Sequence, residues 1–114
     1  MDLLDCSTYI MIKLLQTELQ SLLSVIKGGY LMIEYIYDTQ LLIEGQNLSE
    51  DEINEYITAN IEGDCLLAVG DEELIKIHFH TNTPWKVLEY CASLGEIYDV
   101  VIENMKRQAD GLNG

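Results

Sequence analysis

Basic side chains are scarce: six Lys and Arg stand against 20 Asp and Glu, a formal net charge of -14 over 114 residues. Such a surface repels phosphate backbones and anionic lipid headgroups, so neither nucleic acid nor a membrane surface is expected as a partner. Cysteine is sparse too. Cys6, Cys65 and Cys91 are an odd set without a CxxC spacing, and no cleavable leader is read, which fits a reducing, cytoplasmic setting. Long apolar runs are missing: Asp2, Asp5, Lys13, Gln16, Glu18 and Gln20 interrupt the N-terminal stretch, well short of the ~20 apolar residues a bilayer crossing needs. No membrane insertion is expected. There is also no GxGxxG, no GxxxxGK and no other glycine-rich loop before a helix, so a self-contained nucleotide site has no phosphate cradle.

What is present is enough apolar side chain to close a core, with 48% hydrophobic and 23% charged residues, and the length of one domain with an appended helix. Leu4, Met11, Leu15, Leu19, Leu22 and Ile26 stack on one side of an α-helix that Gly28 and Gly29 end, so residues 1–29 read as an amphipathic helix and linker. Its apolar stripe is wider than one small sheet would cover, so it is expected to pack on something else, a second chain included.

Tyr30 to Ile43, rich in Tyr, Ile and Leu, reads as a first strand. Ser49 and Glu52 form a capping box, with Leu48 and Ile53 as its hydrophobic staple, for a helix reaching about Asn60 and burying Ile53, Tyr56 and Ile57. Cys65 to Val69, a turn at Gly70-Asp71-Glu72, and the alternating Leu74 to Thr81 make a β-hairpin. Thr83 as hydroxyl cap, Pro84 at the first helical position and Gly95 at the end bound a second helix with Val87, Leu88 and Cys91 inward. Glu96 to Met105 is the last strand, and the polar tail over 109–114 is expected to fray. The order β-α-β-β-α-β is the ferredoxin-like split βαβ arrangement, an α+β fold with two helices on one face of a four-stranded antiparallel sheet. It is expected over residues 30–108.

The chemistry-bearing cluster is His78-Phe79-His80. Residues two apart on a strand share a side, so Phe79 points inward and both imidazoles point out. The first and third strands of this fold are neighbours. If Tyr37, Thr39 and Leu41 face the helices, Asp38 joins the histidines. An Asp and two His can hold zinc with a fourth position open, or another divalent ion; the bland alternative is two solvated imidazoles. Cys65 and Cys91 read as inert core thiols. Glu50-Asp51-Glu52 and Asp71-Glu72-Glu73 sit at a helix start and a hairpin turn, where charge is stabilising or solvated.

Four stretches carry a resemblance: Ile36-Tyr37-Asp38-Thr39 continuing to Gly45, Gly63-Asp64-Cys65 continuing to Asp71, Lys76-Ile77-His78-Phe79-His80-Thr81-Asn82-Thr83-Pro84, and Ile102-Glu103-Asn104-Met105. Over about residues 30 to 108 the chain resembles the middle domain of the fatty acid kinase catalytic subunit, the YloV or DAK2-fusion family. The resemblance implies a separate dihydroxyacetone-kinase-like domain holding ATP and magnesium, a further domain docking a fatty-acid carrier protein, dimerisation, and zinc on a first-strand Cys and the two histidines. His78 and His80 match; Asp38 replaces the Cys, a harder ligand that weakens zinc without excluding it. No kinase activity is expected of these residues alone. A metal-assisted catalytic role or small-molecule sensing between protomers is the alternative. Residues 1–28 do not match the family's ATP-binding domain and read as a divergent connecting helix or the start left by a split gene.

Overall fold

The computed structural model describes residues 33–114. The amphipathic helix expected over 1–29, Cys6 and residues 30–32 lie outside the described residues. Within them the chain runs β1 (Tyr37–Glu44), α1 (Glu50–Asn60), β2 (Gly63–Gly70), β3 (Leu74–Thr81), α2 (Pro84–Leu94), β4 (Glu96–Asn104) and α3 (Met105–Ala109). All strand pairings are antiparallel, in the order β2-β3-β1-β4. This is the ferredoxin-like split order, with β1 and β3 at the centre.

The first strand begins later than its composition suggests. Asn82 is the reason. Its side-chain carbonyl accepts from the Ile36 amide at 2.8 Å and its NH2 donates to the Glu34 carbonyl at 3.0 Å. Residues 34–36 thus spend backbone hydrogen bonds on a side chain, and the ladder starts at Tyr37. The capping box forms as expected on one arm, with Ser49 Oγ accepting from the Glu52 amide at 3.2 Å. The expected Thr83 hydroxyl cap does not form. Thr81 Oγ1 instead accepts from the Thr83 amide at 3.1 Å and donates to the Glu62 carbonyl at 2.8 Å. Pro84 still opens α2 and Gly95 still ends it.

Alternation along β1 and β3 builds the core. Thr39 pairs with Phe79, Leu41 with Ile77 and Ile43 with Ile75, and this face packs under Ile53, Ile57, Val87 and Cys91 of the two helices. Ile43, Ile75, Ile77, Ile57 and Val87 are wholly buried, each contributing about 1.5–3 kcal/mol of hydrophobic transfer. Tyr56, expected inside, is exposed and stacks on Tyr90 with ring centroids 3.7 Å apart. Its aromatic surface is covered by the neighbouring helix instead of the sheet.

Both edge strands carry a one-residue bulge. In β2 the pairing skips from Asp64 to Leu67, with Cys65 at φ +53; in β4 it skips between Val101 and Tyr98, with Asp99 at φ +50. Such bulges twist an edge and re-aim side chains. The tail, where fraying is expected, forms α3 under an Asn104 side-chain cap and folds back, with Arg107 Nε donating to the Asn113 carbonyl at 2.8 Å. Among the described residues no helix is long and apolar enough to cross a membrane.

Candidate metal centre

The histidines arrive where strand geometry sends them. In the β1–β3 register Asp38 stands opposite His80 and Gln40 opposite His78. Directly paired residues share a face, so these four side chains lie on the side of the sheet away from α1 and α2. The expected parity of β1 is the observed one. The bland alternative of solvated imidazoles does not hold: His78 and His80 are each 1% exposed and Asp38 is 5% exposed. They form a buried polar cluster.

Inside it, His78 Nε2 lies 2.9 Å from His80 Nε2 and 3.1 Å from Asp38 Oδ1. Two protonated ring nitrogens cannot face each other at that distance, so the Nε2 pair shares at most one proton and presents at least one lone pair. Gln40 Nε2 donates to Asp38 Oδ1 at 3.2 Å, which helps offset the cost of burying a carboxylate. The donor atoms of Asp38, His78 and His80 all lie within 4.8 Å of one another. Ligands held tetrahedrally at ~2.0–2.2 Å from zinc stand roughly 3.3–3.5 Å apart. The two separations at His78 Nε2 are a few tenths of an ångström shorter, the third lies within 4.8 Å, and two imidazoles with a carboxylate are a donor set that suits a divalent ion.

A second donor set adjoins the first. Asp64 Oδ1 approaches His80 Nδ1 to 3.5 Å, and the donor atoms of Asp64, Cys65 and His80 also lie within 4.8 Å of one another. The β2 bulge makes this possible. In an unbroken strand Asp64 and Leu67 would face opposite ways; the extra residue keeps both on the histidine side, opposite His80 and His78. Cys65 is therefore half-buried beside charge, where a core position was expected. Its thiol is pushed up to about 11 by partial burial, then by the Asp64 charge, a hydrogen bond with that carboxylate, and Asp38. Cys91 behaves as expected: it is wholly buried in the core, and desolvation alone pushes it up to about 12.

Sequence reasoning missed Asp64 and misplaced Cys65 because a bulge leaves no mark on a period-two pattern. The one local cue is Gly63, which lets β2 approach the His80 backbone closely. The two acidic runs do structural work. Glu50 Oε1 accepts from the Gly70 amide at 2.6 Å, and Asp71 Oδ1 accepts from the Glu73 and Leu74 amides at 2.8 and 3.0 Å.

Residues 34–112 match the model of the FakA-like middle domain of fatty acid kinase. Among curated proteins, uncharacterized proteins of Staphylococcus aureus strains USA300, NCTC 8325 and N315 are each 36% identical over 78 residues, covering 67% of this chain and 14% of the relative. The chain thus spans a small fraction of the length of the curated relatives it matches. With a model match over most of its length, on the strands that carry the buried histidines, the chain belongs to the FakA-like fatty acid kinase family and carries its middle domain.

Proposed function

We propose that this domain is a non-catalytic module of a fatty acid kinase system, joining protein chains while a zinc-type ion held by Asp38, His78 and His80 braces its central strands. The observation that carries this reading is the convergence of three buried donor atoms on β1 and β3. An ion there would tie the two middle strands together and neutralise a carboxylate that is costly to bury. Phosphoryl transfer belongs to a separate domain holding ATP and magnesium, and a fatty-acid carrier protein is the expected further partner. The absence of a glycine-rich phosphate loop in the sequence supports that division.

Joining is assigned to β4. This edge strand exposes Tyr98, Val100, Val101 and Ile102, an apolar row with strand-pairing capacity on its outer side, which suits pairing with a second copy. Val101 stands opposite Gln40, on the metal side of the sheet. Sedimentation velocity tests the assignment. A homodimer at micromolar concentration that Val101→Lys turns into a folded monomer supports it; a wild-type monomer at high micromolar concentration refutes it.

A further inference from the structure

We infer that Cys65, Asp64 and Nδ1 of His80 form a second cation site, for a thiophilic divalent ion, which competes with the Asp38 set for the one imidazole. The two donor sets meet at opposite ring nitrogens. Nε2 of His80 faces His78 at 2.9 Å, while Nδ1 faces Asp64 Oδ1 at 3.5 Å. His80 is 1% exposed, so its ring is held between them. Cys65 completes the outer set within 4.8 Å. It does so from a left-handed backbone, φ +53, that an L-residue other than Asn, Asp or Gly seldom adopts. The bulge that forces this conformation is also what brings Asp64 to the histidine side of β2.

The chemistry of the two sets differs. Two nitrogens and a carboxylate make the inner set; a sulfur, a nitrogen and a carboxylate make the outer one, which shifts preference toward softer ions. Competition follows from the lone-pair count. A neutral imidazole offers one lone pair, so an ion on Nε2 leaves the proton on Nδ1, where it points at the Asp64 carboxylate. An ion on Nδ1 leaves the proton on Nε2, facing His78. Binding at the outer site replaces the Sγ–H bond of Cys65 with an Sγ–metal bond and releases that proton to solvent, with no change of oxidation state. Asp64 is a ligand in one arrangement and the orienting partner of His80 in the other.

Cobalt(II) distinguishes the sites, because only thiolate ligation gives sulfur-to-cobalt charge-transfer absorption in the near ultraviolet. The full chain is titrated as wild type and as Cys65→Ser, Cys91→Ala, Cys6→Ser and Asp38→Asn variants. The expected result is one ion per chain with a thiolate band that persists in the Cys91, Cys6 and Asp38 variants. In Cys65→Ser the band disappears and cobalt binds with d–d absorption alone. Cys65→Asn serves as a second variant that tolerates the left-handed backbone, should the serine variant fold poorly. A wild type without a thiolate band, a band that survives both Cys65 substitutions, or two ions per chain at saturation would overturn the inference. The structural ion is tested separately: an ion retained by Cys65→Ser should be lost when Asp38→Asn is added to it, and the Cys65 band does not depend on that result.

Discussion

Gly63→Ala is the substitution for which the structure sets the clearest expectation. A Cβ at Gly63 would stand 2.3 Å from the His80 carbonyl oxygen and 2.4 and 2.7 Å from two ring carbons of Phe79. Ordinary contact begins near 3.4 Å, so β2 must retreat from β3 by about 1 Å or Phe79 must move. Phe79 is 2% exposed and packed under the core isoleucines, which leaves it little room. Overpacking of this kind costs about 1–3 kcal/mol. At roughly 4–8 °C per kcal/mol for a domain of this size, the melting temperature should fall by roughly 5–20 °C. Urea denaturation and a thermal melt followed by circular dichroism measure it, and an unchanged urea slope would show that both states keep their compactness. Because the strain falls on the His80 backbone, metal affinity should weaken in the same variant. A melting temperature within about 2 °C of wild type would refute the packing argument.

Two further outcomes follow from the titrating groups. The Glu73 and Leu74 amides hold the Asp71 carboxyl below the usual carboxylate range. Its stabilising effect is therefore present above the unfolded value of about 3.9 and lost as pH falls through the folded value. Asp71→Ala should lower the melting temperature at neutral pH, the deficit closing in acid, while Asp71→Asn, which keeps the acceptor oxygen, should lose less; a deficit independent of pH would contradict this. The Cys91 thiol, pushed up to about 12 by burial, should react with iodoacetamide at pH 8 roughly a thousandfold more slowly in the folded than in the unfolded chain. Peptide mapping by mass spectrometry reads that ratio, and labelling at the unfolded rate would contradict it.

Elements whose boundaries depend on short-range chemistry were legible in the sequence. Ser49 and Glu52 mark a helix start because a side-chain oxygen must satisfy a free amide there, and the oxygen does so. The alternation of Ile75, Ile77 and Phe79 with Lys76, His78 and His80 marks β3 and its two faces, and the observed register agrees. The convergence of Asp38 with the histidines followed from that alternation and the strand order. What stayed hidden depends on partners distant in sequence. Asn82 sets the start of β1 from 46 and 48 residues away. The Thr83 hydroxyl leaves α2 uncapped and lies 3.3 Å from that of Thr81, which donates to the Glu62 carbonyl, a partner 19 residues away. Burial of the two imidazoles, and the turn of Asp64 and Cys65 toward His80, come from packing and from a bulge that no residue pattern announces.

The proposed divalent-ion site, made by three buried side chains on the two middle strands, is the feature on which the functional reading stands. Elemental analysis of protein purified without added metal, read together with its melting temperature before and after chelation, tests it most directly. The expected result is close to one zinc-type ion per chain, lost when His78→Ala is combined with Cys65→Ser so that the outer donor set cannot take the ion, and a clear fall in melting temperature when the ion is removed. Metal-free wild-type protein whose melting temperature responds neither to chelator nor to added zinc would contradict it.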